Sequence, residues 1–176
     1  TGLLYLGVAL TGGLGFLLVR DRLFVEGDPT ATVANLVANE GLARLGVILE
    51  LGLVLTQVLC ALFFFRMFRS VDPFAAGAIA VFGTVNAVAI LVSSAMLATA
   101  LDVAGGALQS PASAASTAQL LYVVSGQLWS VAGLFFGLWL IPMGWLARRS
   151  GWMPAALGWV LMIGGVGYVV STFLTY

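Results

Sequence analysis

The residues of this sequence that could do chemistry are a few polar side chains within long apolar stretches. Glu50 lies in one such stretch with Gln57 seven residues after it, and Asn86 and Gln127 lie in two others. Seven residues are close to two helical turns, so Glu50 and Gln57 share one face if their stretch is helical. An ionisable side chain at the centre of a membrane span costs about 2.5 to 3.5 kcal/mol to insert. We therefore expect Glu50 either to be protonated or to find a donor on another helix.

These four residues have two interpretations. A carboxylate together with amides and hydroxyls is enough to bind a small polar ligand or a proton, and ionisable residues within membranes are often functional. The alternative is that the polar groups only hydrogen-bond the helices to one another, without any ligand. A water-accessible cavity reaching Glu50 would favour the first interpretation, and a dry, fully packed polar layer would favour the second.

The rest of the inventory argues against catalysis. The chain has no histidine and one cysteine, Cys60. Histidine is the commonest metal ligand and general base, so we expect no histidine-ligated haem, pigment or metal and predict no other cofactor. A single cysteine forms neither a disulfide framework nor a thiolate metal site. Paired carboxylates, a nucleophile with its base, and a glycine-rich phosphate loop are not recognisable either. The sequence therefore predicts a protein that is not an enzyme and has no catalytic residues.

Composition places these residues in a membrane protein. The chain has 176 residues, of which 61% are hydrophobic and only 8% charged, whereas a soluble domain carries about 25% charged residues. Its formal net charge is zero, so it has no basic face for nucleic acid. We predict a single transmembrane domain over residues 1–176, with membrane lipids as its immediate partners.

Five apolar segments are long enough, or nearly so, to cross a membrane core of about 30 Å as helices. They show no period-2 alternation, which excludes strands of a membrane barrel. They run roughly Leu3–Val19, Leu45–Phe65, Phe74–Leu101, Gln119–Trp145 and Pro154–Tyr176. The predicted fold is an all-α integral membrane protein, an antiparallel bundle of five transmembrane helices. A short interfacial helix, Thr30–Glu40, follows the first span.

Local signals mark where helices begin. Asp28-Pro29, Asp72-Pro73 and Ser110-Pro111 each place a capping oxygen before a proline at the first helical position. Glu40 and Arg44 are four residues apart in the order that favours a pair on one helical face.

Small residues recur at helical spacing in the last two spans. They are Gly126, Ser130, Gly133 and Gly137 in the fourth span, and Gly164 and Gly167 in the fifth. Such stripes let two helices approach closely in lipid. They serve either to pack the bundle itself or, if they face outward, to dock another transmembrane protein.

Several short strings follow one another in the order and spacing of a known family. They are Gly2-Leu3-Leu4-Tyr5-Leu6, Ala43-Arg44-Leu45-Gly46, Phe65-Arg66-Met67-Phe68-Arg69, Leu134-Phe135-Phe136-Gly137, and Arg149-Ser150-Gly151-Trp152-Met153-Pro154 followed by Leu157-Gly158. Over essentially its whole length the chain resembles the bacterial multi-pass family of domain of unknown function 4386. The resemblance implies a sixth span and names no substrate. It also implies an Arg and a Glu in the third span, where this chain has Gly83 and Asn86, and a His around Ser125.

Two functions remain as hypotheses. The first is a non-enzymatic accessory or scaffolding subunit of the bacterial inner membrane, which packs against other transmembrane subunits through the stripes of small residues. The second is a small transporter, or a binder of a lipid or small amphiphile, centred on Glu50. Four arginines in the second-to-third and fourth-to-fifth turns predict that these turns are cytoplasmic. They are Arg66, Arg69, Arg148 and Arg149.

Overall fold

The structure is a computed structural model that describes residues 2–109 and 112–175, and the side chains of all of these except 16 and 17. Throughout this part of the chain the regular structure is helical and no strand occurs. The helices are α1 (Gly2–Leu23), α2 (Pro29–Ala38), α3 (Glu40–Phe68), α4 (Pro73–Ala104), α5 (Ala114–Ser150) and α6 (Ala155–Leu174). Five of them, all except α2, are long and apolar enough to cross a membrane. The all-α prediction with five spans and one short helix is confirmed.

The helices extend beyond the apolar segments that predicted them. Helix α3 has 29 residues and α5 has 37, because charged flanking residues such as Glu40 and Arg148 continue the backbone hydrogen bonding without being apolar. Helix α1 contains a π-helical stretch, Leu14–Arg20, followed by a last α-helical turn that ends at Leu23. The apolar run therefore located each span but not its ends.

Two of the three predicted helix starts are confirmed. Asp28 Oδ1 accepts a hydrogen bond from the Ala31 amide at 2.9 Å. Asp72 Oδ1 accepts from the Phe74 and Ala75 amides, each at 3.1 Å. The pair Ser110-Pro111 lies outside the described residues, and α5 begins later, at Ala114. There the Ser113 hydroxyl accepts from the Ser116 amide at 3.1 Å, so a serine nearer the apolar run provides the cap.

The chain divides into two compact units. The unit that we call the site unit comprises the described residues within Leu6–Val54 and Ile90–Trp129. The other, which we call the aromatic unit, comprises those within Thr1–Tyr5, Leu55–Ala89 and Ser130–Tyr176. The prediction of a single transmembrane domain stays a prediction.

The core of the site unit is aliphatic and brings α2 against the ends of the longer helices. Its buried members are Val19, Leu23, Leu36, Ala43, Leu97, Ala100, Leu101, Ala118 and Tyr122. Helix α2 contributes Leu36 and a buried threonine, Thr32, whose hydroxyl lies 3.1 Å from the Val25 nitrogen. Most of the remaining α2 surface is exposed or half-buried, so α2 is amphipathic. The predicted pair also forms, since Arg44 Nη2 lies 2.7 Å from Glu40 Oε1.

The aromatic unit packs its rings around Trp139, which is fully buried. The Phe64 and Phe68 rings stack with their centroids 5.9 Å apart, and Tyr5 lies 6.0 Å from Trp139. The sulfur of Cys60 is also buried in this unit. Ring contacts therefore form the centre of this core.

Helices α5 and α6 approach each other at two pairs of glycines. A Cβ built on Gly137 would lie 2.6 Å from the Gly165 carbonyl oxygen, and one built on Gly144 would lie 2.5 Å from that of Gly158. The pairing runs in opposite directions along the two helices, so α5 and α6 are antiparallel here. Only glycine lets the two backbones come this close, which is the usual way for helices to associate in lipid.

Candidate functional site

Glu50 is held in the site unit by donors from two other helices. Its residue is only 4% exposed. Its Oε1 atom accepts a hydrogen bond from the Trp129 indole nitrogen of α5 at 3.0 Å and a longer one from the Ser93 hydroxyl of α4 at 3.4 Å. A donor on another helix was one of the two outcomes expected for this carboxyl group, and the structure supplies two.

Arg20, at the end of the π-helical stretch of α1, is the cation that faces Glu50. Its Nη1 atom lies 4.0 Å from Glu50 Oε1, and the two side chains are 11% and 5% exposed. Its Nη2 atom donates to the Tyr122 carbonyl oxygen at 2.7 Å and to the Ser125 hydroxyl at 2.9 Å. The guanidinium is therefore anchored on α5, while its charge offsets that of the carboxylate.

Two serines complete a polar path between the charges. The Ser93 and Ser125 hydroxyl oxygens are 2.7 Å apart, and both residues are fully buried. Polar side chains of α1, α3, α4 and α5 thus meet in one network. π-Helical turns are rare and often occur at functional sites, and here the π-helical stretch Leu14–Arg20 ends with the cation of the network.

A small cavity adjoins this pair. It has a volume of about 10 Å³. The residues that line it are Gly15, Val19, Arg20, Leu23, Ala43, Gly46, Glu50, Leu97 and Tyr122. A cavity of this size is at the lower limit for one water molecule. The second carboxylate oxygen, Glu50 Oε2, is buried and has no hydrogen-bond partner among the described residues. The site can therefore accept a proton or one hydrogen bond from a ligand of water size.

The other predicted polar residues lie elsewhere. Gln57 and Asn86 belong to the aromatic unit, where the Asn86 amide donates to Gln57 Oε1 at 3.1 Å. Gln127 belongs to the site unit, but it is exposed and does not line the cavity. The structure thus joins Gln57 with Asn86, and the partners that it gives Glu50 are Trp129, Ser93 and Arg20.

The aromatic unit has buried donors of its own near Gly83. The nitrogen atoms Gln57 Nε2 and Trp139 Nε1 are buried without an acceptor among the described residues. A Cβ on Gly83 would lie 2.9 Å from that of Ala61 and 3.2 Å from Trp139 Nε1. A larger residue at position 83 would therefore collide with this packing.

The predicted stripes of small residues divide between internal packing and open surface. Gly137 faces Gly165 of α6, a Cβ on Gly133 would meet the Thr172 hydroxyl at 3.4 Å, and Gly126 lies beside the Arg20 guanidinium. Ser130 is exposed. Gly164 and Gly167 have nothing within 4 Å of the position that a Cβ would take. One part of the stripes packs α5 against α6, and these two glycines remain open.

Two important residues of the site were missed from the sequence. Arg20 follows the predicted end of the first span at residue 19, but the helix continues to Leu23. Trp129 was also missed, because Gln127 and Ser130 beside it offer donors as well and the sequence does not single out the indole N–H. Within residues 2–109 and 112–175, no three Cys, Asp or Glu residues come close enough to hold a metal ion. The expected lack of a cofactor stays a prediction.

Five long apolar helices, together with charged and polar side chains buried between them, define a multi-pass helical membrane protein. The family described as Domain of unknown function (DUF4386) matches residues 1–176, so the chain belongs to that family, and the resemblance seen in the sequence is confirmed. No curated protein and no solved structure matches the chain.

Proposed function

We propose that this membrane protein is a small transporter that takes up a proton or a water-sized polar molecule at the Arg20–Glu50 pair, without catalysing a reaction. The observation that carries the proposal is the unpartnered Glu50 Oε2 atom beside a cavity. A buried polar atom without a partner costs about 1–3 kcal/mol. A ligand or proton that satisfies it recovers this cost.

The charges restrict what the site takes. Arg20 offsets the carboxylate, so a second cation larger than a proton gains little by entering. The guanidinium already donates to Tyr122 and Ser125, so the unmet requirement of the site is for a donor to Glu50. Water and the proton meet that requirement and fit a cavity of about 10 Å³.

The test is a flux measurement on the purified chain in liposomes containing a pH-sensitive dye. A potassium gradient with valinomycin drives proton entry, and osmotic light scattering measures water entry. We expect flux above that of empty liposomes for the wild type and flux equal to empty liposomes for Glu50→Gln.

Glu40→Gln is the matched control, because Glu40 is exposed and pairs only with Arg44 in the contacts described above. It should transport like the wild type. If neither proton nor water flux depends on Glu50, the proposal is wrong.

An accessory or scaffolding role is the second candidate, favoured by the open surface at Gly164 and Gly167. The same helix exposes Val160 and Ile163, each 67%. Another transmembrane subunit could approach α6 closely there. Gly164→Leu together with Gly167→Leu should reduce the size of the native complex on non-denaturing gels without lowering thermal stability. An unchanged size would reject this role.

We further propose that the protein lies in the bacterial inner membrane with the α3–α4 and α5–α6 turns in the cytoplasm. The support is the concentration of arginine in these turns. In a Cys60→Ser background, Ser113→Cys should react with an impermeant maleimide on spheroplasts, and Ser70→Cys should react only after lysis. The reverse pattern would invert the topology.

A further inference from the structure

The charges of the aromatic unit are concentrated around its two turns. Four arginines and one aspartate are its whole ionised set, which gives a formal charge of +3. They are Arg66, Arg69, Asp72, Arg148 and Arg149. The rest of the unit is uncharged. The end of the unit that carries the two turns, which we call the basic end, is therefore positively charged, and the other side chains of the unit are apolar or neutral polar.

Two contacts hold the turns side by side. Arg149 Nη1 lies 3.0 Å from Asp72 Oδ2, and the Phe68 and Trp152 rings stack with their centroids 5.8 Å apart. The ion pair occupies the single carboxylate of the unit. Within the described part of the chain no carboxylate lies in salt-bridge contact with Arg66, Arg69 or Arg148, so these three carry uncompensated positive charge.

Arg148 is fixed in position although it is exposed. Its guanidinium carbon lies 4.0 Å from the centroid of the Trp159 ring, and a Cβ on Gly158 would collide with its Cγ atom. The stem of Arg148 therefore lies across a glycine of α6, with its head on the Trp159 ring. A side chain ordered in this way loses less conformational entropy when it binds an anion.

The surface next to this cation suits a lipid. Trp152 and Trp159 are 57% and 51% exposed, and half-exposed tryptophans favour the membrane–water interface. On either side of Trp159 in α6, Leu157 and Val160 expose apolar side chains. A phosphate beside Arg148 with acyl chains along Val160 would match both the charge and the apolar surface.

We propose that this basic end binds the phosphate of an anionic membrane lipid, with Arg148 as its fixed contact and Arg69 and Arg66 as supporting charges. The planar guanidinium donates two parallel hydrogen bonds to phosphate oxygens. A zwitterionic lipid offers the same phosphate but adds a cation that the surrounding arginines repel. The proposal is independent of the Arg20–Glu50 site.

The experiment titrates the purified full-length chain in neutral detergent with phosphatidylglycerol or phosphatidylcholine and counts bound lipid by native mass spectrometry. We expect the wild type to prefer phosphatidylglycerol. Each basic residue near an anionic lipid contributes about fivefold in affinity, so Arg69→Gln with Arg148→Gln should weaken phosphatidylglycerol binding by about thirtyfold. Arg22→Gln, which removes an exposed arginine of the site unit, should leave binding unchanged.

Asp72→Asn tests the same surface by gain of binding. It removes the only negative charge of this end and releases Arg149, while an amide oxygen can still cap α4. We expect affinity for phosphatidylglycerol to rise about fivefold. This variant keeps the proposal testable even if the double variant fails to fold.

Three results would overturn the proposal. The first is equal binding of the two lipids by the wild type, and the second is a loss in Arg22→Gln as large as in the double variant. The third concerns the source of the phosphate. Inorganic phosphate alone, at the concentration of the lipid, should not displace bound phosphatidylglycerol, and displacement would show that the site takes free phosphate instead.

Discussion

Neighbouring glycines of α6 should respond in opposite directions to the same substitution. A Cβ on Gly165 would lie 2.7 Å from the Gly137 carbonyl oxygen, 2.8 Å from Ile141 Cγ1 and 3.1 Å from Leu140 Cβ. The nearest of these atoms belongs to the backbone and cannot rotate away. Gly165→Ala therefore requires α5 and α6 to move apart. Gly164 has nothing within 4 Å of its Cβ position, so Gly164→Ala adds a methyl group without a collision.

The magnitudes follow from packing and helix propensity. Overpacking a close contact costs about 1–3 kcal/mol. The separation of α5 and α6 would also loosen the Gly144–Gly158 contact. Replacing an unhindered helical glycine by alanine gains up to about 1 kcal/mol. Gly165→Ala gains the same helix propensity as Gly164→Ala, so the free energies of unfolding of the two variants should differ by the overpacking cost of about 1 to 3 kcal/mol, with Gly165→Ala the less stable.

The assay is reversible unfolding in mixed micelles of increasing dodecyl sulfate fraction, followed by tryptophan fluorescence. Both variants add one methyl group to the same helix, so differences in detergent binding are small. Equal stabilities for the two alanine variants, or a destabilised Gly164→Ala with a wild-type Gly165→Ala, would refute the packing of α5 and α6 through paired glycines.

Three further predictions concern the site unit. Trp129→Phe removes the donor 3.0 Å from Glu50 Oε1 and should lower the free energy of unfolding by about 1.5–3 kcal/mol in the same assay. Its control is Trp145→Phe, at a side chain that is 47% exposed, which should cost less than about 1 kcal/mol because surface substitutions have small effects. Asp28→Ala removes the cap of α2 and should cost about 1 kcal/mol, seen as faster hydrogen exchange of the α2 amides and not of those in α4. Arg20→Met should lower the free energy of unfolding by about 3–5 kcal/mol because it leaves Glu50 without its counter-ion. Adding Glu50→Leu to this variant should restore most of that loss. A double variant as unstable as the single one would contradict the assigned pairing.

The helices could be predicted well from the sequence because membrane hydrocarbon leaves the backbone few other structures. A chain with five long apolar runs has no other way to satisfy its backbone in hydrocarbon than to form helices. Capping residues refined two of the starts, since Asp28 and Asp72 each precede a proline. The third pair, Ser110-Pro111, lies outside the described residues, and α5 begins at Ala114 with Ser113 as its capping residue.

The site was predicted only in part, for a geometrical reason. Glu50 was found because a carboxyl group in an apolar run is conspicuous on its own. Its partners lie on α1, α4 and α5, and which side chains meet depends on the rotation of each helix about its axis. A single sequence does not contain these rotations. Arg20 was the harder case, since its position depends both on α1 continuing to Leu23 and on the π-helical turns before it.

Packing alone does not account for the Arg20–Glu50 pair. Replacing a buried ion pair by well-packed apolar residues is often neutral or stabilising, and here the geometry is poor for stability, with 4.0 Å between Nη1 and Oε1 and one carboxylate oxygen unpartnered. The hydroxyl oxygens of Ser93 and Ser125 are only 2.7 Å apart and uncharged, so they are better suited to hold two helices together by a hydrogen bond. A charged pair that contributes little to stability, beside a cavity for one water, supports the proposal that the pair takes up a proton or a water-sized molecule. Flux through a stable Arg20→Met, Glu50→Leu chain therefore separates the two roles, because packing survives in that chain and the acceptor does not.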